Sequence, residues 1–150
     1  SGLADSQKET VKLHTATHIL NEALRVILSK DIVQRGSNIT HERLRFDFNF
    51  DRKMTEEEKR AVEDVVNQKI KQAIPVTQIE TSLEEAKKIA TQAVFGDRYG
   101  EKVTVYSIGD FSSELCSGPH VENTSELGHF RIVKERSISA GVRRIRAVLE

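Results

Sequence analysis

The sequence predicts an α+β fold, with a mixed or antiparallel sheet packed with long helices. Three observations predict it. Apolar residues recur every three or four positions over residues 6–29, with no proline or glycine among them. Two Ser/Thr-x-x-Glu words, beginning at Thr55 and Ser82, open further helices. Alternating apolar and polar runs read as strands that mostly follow one another in sequence.

The first helix is expected from about Ser6 to Ser29. Val11, Ala16, Ile19, Leu20, Ala23, Leu24 and Ile27 form its apolar repeat. His14 and His18 lie one turn apart on one face, while Ala16 and Ile19 point toward the core. Asp31 to Asn38 reads as a short strand and turn, with Gly36 as the breaker. In Leu44-Arg-Phe-Asp-Phe-Asn-Phe50 the alternation turns Leu44, Phe46, Phe48 and Phe50 inward. Thr55-Glu-Glu-Glu58 is a capping box, and its helix runs to about Ala73 with Val62, Val65, Val66 and Ile70 inside. Pro75 stops that helix, whose Lys/Glu-rich outer face reads as a solvated surface. Val76 to Thr81 follows as a strand. Ser82-Leu-Glu-Glu85 caps another helix, to about Val94, and Gly96 and Gly100 bracket a loop. Lys102 to Ile108 is a strand with Val103, Val105 and Ile108 inward. Phe130 to Ser137 and Val142 to Leu149 close the chain as two strands.

The 150 residues suit a single domain with a hydrophobic core, and residues 1–150 are read as one, a fragment of a longer chain. The 37% hydrophobic fraction contains no run near the ~18 residues that span a membrane. No signal-like start is visible, so no membrane partner is expected. Lys plus Arg and Asp plus Glu balance at 23 each, so net charge lends no support to nucleic-acid binding. The single cysteine excludes an internal disulfide and fits a reducing, cytoplasmic compartment.

Two short words stand out. His14-Thr-Ala-Thr-His18 and Cys116-Ser-Gly-Pro-His120 each place two metal-ligating residues four apart. On a helix the first pair can converge on one ion. Across a Gly-Pro turn, at a strand end or in a loop, the second can do the same. One thiolate with three imidazoles favours zinc. Each word also has an ordinary reading: a chance pair of helical histidines, or a small buried hydrophobe at Cys116. Spacing alone does not show that the two words meet.

Six stretches carry a resemblance. They are His14-Thr-Ala-Thr-His18-Ile-Leu20, Gln34-Arg-Gly-Ser37, Leu44-Arg-Phe-Asp-Phe48, Phe95-Gly-Asp-Arg-Tyr-Gly100, Glu114-Leu-Cys116-Ser-Gly-Pro-His120 and Gly141-Val-Arg-Arg-Ile145. In this order, over nearly the whole chain, they resemble the editing domain of alanyl-tRNA synthetases and the related free-standing alanyl-tRNA editing proteins. More distantly they resemble the front of threonyl-tRNA synthetases. The alanyl pattern at the cysteine is Cys-Gly-Gly-Thr-His, and the Gly-Pro-His end here looks like the threonyl enzymes. The preceding Glu-Leu, the Gln-x-Gly-Ser word and Gly-Val-Arg-Arg-Ile favour the alanyl side.

The resemblance implies the fold of the threonyl/alanyl-tRNA synthetase second additional domain. It implies that His14, His18, Cys116 and His120 converge on one zinc. It implies hydrolysis of a mischarged tRNA acceptor end, Ser-tRNA(Ala) and also Gly-tRNA(Ala), with the remainder of a synthetase chain as partner. Ser-tRNA(Thr) is the alternative substrate. Thr17 and Gln34 are candidates for reading the serine hydroxyl or placing water. Glu114 is a candidate general base, against the plainer reading of a surface carboxylate at a strand end. His120 is expected to be the loosest ligand. Arg143, Arg144 and Arg146 are candidates for tRNA phosphates, although 143 and 144 must face opposite sides of a strand. Three other classes compete: a silent zinc module that binds the acceptor end, a hydrolase with Cys116 as nucleophile, and a structural zinc domain with a protein partner.

Overall fold

A computed structural model of the chain describes residues 2–3, 8–82, 84–85, 102–116 and 119–150. In order these form β1 (Gly2–Leu3), α1 (Lys8–Ile27), β2 (Gln34–Ile39), β3 (Leu44–Asn49), α2 (Glu56–Lys71), β4 (Val76–Ser82), β5 (Lys102–Ile108), β6 (Ser112–Leu115), a short 3-10 helix (Thr124–Leu127), β7 (Phe130–Ser139) and β8 (Val142–Leu149). The fold is α+β with two sheets. One is five-stranded in the order β1-β2-β3-β8-β7, and the other runs β4-β5-β6. Among the described residues only β1 and β2 pair in parallel. Among the described residues the long helices number two, α1 and α2. At Ser82 one of the two bonds of the expected capping box is present, the Glu85 amide donating to Ser82 Oγ at 3.2 Å. The rest of the helix expected to Val94, and the loop between Gly96 and Gly100, lie outside the described residues.

Helix α1 is buried on most sides because it packs against α2, the five-stranded sheet and β6. Leu13, Ala16, Ile19, Leu20, Ala23 and Leu24 enter one core with Leu44, Phe46 and Phe48 of β3 and Ile145 and Ala147 of β8. The alternation expected in β3 is present, and Phe50 packs at the margin of the same cluster. Val62, Val66 and Ile70 bury one stripe of α2, with Val65 half-buried beside it. Val103 and Val105 pack with Leu115 in a small second cluster, whereas Ile108 joins the main core.

The cap of α2 has both of its bonds: the Glu58 amide donates to Thr55 Oγ1 at 3.1 Å, and the Thr55 amide to Glu58 Oε1 at 2.9 Å. The helix ends before Pro75 is reached. Gln72 is its C-cap, and Ala73 follows with φ +50°. Asn123 and Thr124 hold this end, with Asn123 Nδ2 donating to the Ala73 carbonyl and Thr124 Oγ1 to the Lys69 carbonyl.

Gly36 does not break a strand. It lies within β2 at a register shift, opposite Asp47 of β3. A Cβ on Gly36 would stand 3.3 Å from Asp47 Oδ2, so the glycine leaves room for that carboxylate to lie over the sheet. Asp47 then accepts two hydrogen bonds from Arg144, at 2.8 and 3.0 Å. Arg143 turns to the opposite side of β8 and pairs with the buried Glu135 at 2.5 Å.

Candidate metal centre

Helix α1 brings His14 and His18 to one face, as the 3.6-residue period requires. Cys116 follows directly on β6, and the backbone runs through Pro119 to His120 without regular structure at those positions. Ser117 and Gly118, in the expected turn, lie outside the described residues. α1 packs against β6, so the two words meet. One ligand atom from each of His14, His18, Cys116 and His120 lies within 4.8 Å of the others. The three imidazole centroids are 4.3 to 5.1 Å apart. These four side chains are of the kinds that would hold a four-coordinate nitrogen- and sulfur-bound ion, and would close slightly to do so. Cys116 Sγ is already 3.5 Å from His14 Nε2.

Each histidine is held through Nδ1. His14 Nδ1 is 3.0 Å from the Pro119 carbonyl, and His18 Nδ1 is 2.8 Å from Glu114 Oε2. Both oxygens only accept, so Nδ1 carries the proton and the Nε2 lone pair is left for the centre. His120 Nδ1 is 3.0 Å from Thr15 Oγ1. That hydroxyl donates to the Val11 carbonyl and accepts from the Val121 amide. With the hydroxyl proton on the Val11 carbonyl, its remaining lone pair is free to accept from Nδ1–H, the tautomer of His120 that turns a lone pair inward. Among the described residues, His18 Nε2 and His120 Nε2 are buried and meet no hydrogen-bond partner. Buried polar atoms are normally satisfied. Inward lone pairs, each backed by an outer acceptor, are the arrangement of histidines that ligate a metal. The residues present therefore fit such an ion.

Electrostatics favour the ligating forms of Cys116 and His120, whereas His18 is held as an imidazolium and would release its Nε2 proton on binding an ion. Burial opposes a thiolate at Cys116, but the imidazoles of His120, His14 and His18 outweigh it and hold the thiol at about 3. Burial likewise opposes charge on His18, yet the Glu114 carboxylate and the Cys116 sulfur raise it to about 10. Burial, with His18 and His14 adding to it, lowers His120 to about 4.

The other expected site residues separate. Glu114 is buried rather than a surface carboxylate. Its Oε2 takes His18, and its Oε1 lies 3.3 Å from Ser112 Oγ and 3.5 Å from Asn21 Nδ2. Thr17 is buried and donates to the Leu13 carbonyl at 2.8 Å, the usual back-bond of a helical threonine. Gln34 donates to Ser37 Oγ at 3.2 Å. Among the described residues, no hydrogen bond or ion pair joins Thr17 or Gln34 to the four clustered side chains. His120, expected to be loosest, is held on several sides: by Thr15, by the His14 ring, and by the Tyr106 ring at 4.2 Å. Sequence reasoning missed Thr15 and Tyr106. Thr15 sits beside His14 in the first word, and its hydroxyl was the available signal. Tyr106 had none beyond its alternation on β5.

Residues 103–146 match the family described as "Threonyl and Alanyl tRNA synthetase second additional domain". The chain is 58% identical over 149 residues to an alanine–tRNA ligase of Treponema denticola, which covers 99% of the chain and 25% of that relative. It is 53% identical over 148 residues to that of Borreliella burgdorferi, again 99% of the chain and 25% of the relative. It is 53% identical over 138 residues to that of Halalkalibacterium halodurans, 92% of the chain and 16% of the relative. The chain thus spans a quarter or less of the curated relatives it matches. With the His/Cys cluster assembled between α1 and the segment after β6, these likenesses place the chain in the threonyl- and alanyl-tRNA synthetase second additional domain family, as an editing-type domain of the alanyl-tRNA synthetase kind.

Proposed function

We propose that the chain is a zinc-containing editing domain that hydrolyses the ester of mischarged tRNA(Ala), with seryl-tRNA(Ala) as principal substrate and glycyl-tRNA(Ala) as a second. It would act as one domain of a longer cytoplasmic alanyl-tRNA synthetase, whose other parts supply aminoacylation. One observation carries the metal reading: three histidines, each anchored at Nδ1, turn Nε2 toward the same space as the Cys116 thiol. Names of the relatives support the alanyl side.

Need for such a site follows from chemistry. Alanine and serine differ by one hydroxyl, and an apolar activation pocket rejects that isostere by only about 10²-fold. A site that hydrogen-bonds the hydroxyl reverses the preference, because an alanyl ester leaves the site's polar group unpaired. Bound zinc would supply a fixed positive charge and Lewis acidity to this site. His14, His18, Cys116 and His120 would hold it. Glu114 keeps the His18 ring in its ligating tautomer, and Thr15 does the same for His120, so both are positioning residues. With both oxygens engaged, Glu114 is better suited to that task than to moving a proton. Gln34, in the Gln-x-Gly-Ser word, and Thr17 remain the residues assigned to the serine hydroxyl or to water.

The test is parallel deacylation of Ser-tRNA(Ala), Ala-tRNA(Ala) and Ser-tRNA(Thr). Preferential clearance of Ser-tRNA(Ala) is expected. Preference for Ser-tRNA(Thr) would move the domain to the threonyl side, which the Gly-Pro-His end of the second word favours. Binding of tRNA without release of amino acid would make it a silent module.

A second reading rests on the 3.5 Å approach of Cys116 Sγ to His14 Nε2, which also suits a thiolate nucleophile with an imidazole base. Alkylation separates the two. A zinc-bound thiolate is protected until chelator is added, whereas a free nucleophile reacts at once.

A further inference from the structure

The five-stranded sheet turns one face to α1 and α2 and the other away from them. On the far face cations are gathered. Register sets Arg45 of β3 opposite Arg146 of β8, Arg146 opposite Lys134 of β7, and Arg144 opposite Arg136. Residues directly opposed across antiparallel strands project to the same side. Arg43 joins them: burial, then the charges of Arg146 and Arg45, lower its guanidinium below its usual range. Asp47 is the carboxylate among these positions, and Arg144 already occupies it. Arg131, further along β7, is paired to Glu150.

Folding does not explain this array. Like charges directly opposite each other on a sheet are destabilising, and an acid at any of these positions would relieve the repulsion. Among the described residues, Arg45, Lys134, Arg136 and Arg146 make no ion pair. Among the described residues the buried Nε of Arg45 meets no acceptor. Charge balances over the whole chain at 23 against 23, so the excess here is segregation rather than general basicity. Cations repeat about every 6.8 Å along a strand and about 4.8 Å across strands. Most are guanidinium groups, whose planar fork matches phosphate oxygens.

The geometry points to the outer face of β3, β8 and β7 as a docking surface for the phosphodiester backbone of RNA. This rests on the tRNA-directed reading above and names where that partner would be held. The face is separate from the His/Cys cluster, which α1 carries on the helical side, so binding and hydrolysis can be broken independently.

The experiment measures anisotropy of a labelled, uncharged RNA hairpin with a single-stranded 3′ end, titrated with the chain over a range of salt. Arg45→Gln/Lys134→Gln/Arg146→Gln is compared with wild type and with Lys71→Gln, an exposed cation on α2. The triple variant should bind more than tenfold more weakly, and its slope of log K against log salt should flatten by about 0.9 per lost phosphate contact. Lys71→Gln should match wild type. Far-UV circular dichroism and metal content should be unchanged in all three. Equal RNA binding by the triple variant and wild type overturns the assignment. So does loss of binding to polyglutamate with RNA binding intact, which would give the face to an acidic protein segment. Because the RNA carries no amino acid, a failure here is distinct from a failure of deacylation, which the charged tRNAs read separately.

Discussion

Glu114 Oε2 accepts a hydrogen bond from His18 Nδ1 at 2.8 Å, and this contact ties a buried carboxylate of β6 to the second histidine of α1. It sets the His18 tautomer and raises the basicity of Nε2. Glu114→Gln keeps the shape but removes the charge. Zinc affinity, measured by competition with a chromophoric chelator, should fall about 10- to 100-fold with the circular dichroism spectrum unchanged. Unchanged affinity would mean that the contact does not serve a metal.

Thr15 and Thr17 should behave differently although only Ala16 separates them in the same word. Thr15→Val strips the acceptor from both His120 Nδ1 and the Val121 amide, and should cost about 1–3 kcal/mol in denaturant unfolding. Thr15→Ser should recover most of that loss. Thr17→Val removes only a bond to the Leu13 carbonyl and should leave stability and metal content near wild type. Equal losses at the two positions would show that Thr15 has no special link to His120.

Ala73 occupies the left-handed region at φ +50°, just past the C-terminus of α2. Glycine is at ease there and alanine is not. Ala73→Gly should stabilise the fold by about 1 kcal/mol, read as a higher unfolding midpoint. A lower midpoint would mean that the Asn123 and Thr124 contacts already relieve the strain.

Acid should weaken the start of α2. The Arg52 guanidinium, at 2.7 and 2.8 Å, and the Thr55 amide hold the Glu58 carboxyl down from 4.5 to about 2. A carboxyl depressed in the folded state contributes stability above its unfolded value and loses it as pH falls through the folded value. Wild type should therefore lose stability between about pH 4.5 and pH 2 relative to Glu58→Gln. Parallel pH profiles for the two proteins would show that the pair adds nothing.

Much of the fold was legible because it is periodic. The apolar repeat of α1, the alternation of β3 and the cap at Thr55 are local patterns with local causes. Periodicity does not say which strand pairs with which, so the division into two sheets was not legible. Gly36 misled because a glycine that admits a neighbouring carboxylate looks the same in sequence as one that breaks a strand. The sheet's cationic face was half visible in Arg143-Arg144-Ile145-Arg146. Its partners on β3 and β7 depend on register, and Arg143 turned out to face the other way, onto Glu135. At the site, four ligands stood out by residue type, but their meeting depends on α1 packing against β6. Thr15 was hidden because a threonine that orients a ligand carries no spacing signature.

One zinc ion held jointly by His14, His18, Cys116 and His120 underlies the proposed function. Elemental analysis of the purified wild-type chain beside Cys116→Ala tests it most directly. Wild type should carry stoichiometric zinc, and the variant should carry much less under the same preparation. A wild-type chain that neither retains nor takes up zinc, or a variant with the same content, would rule out the four-ligand zinc site.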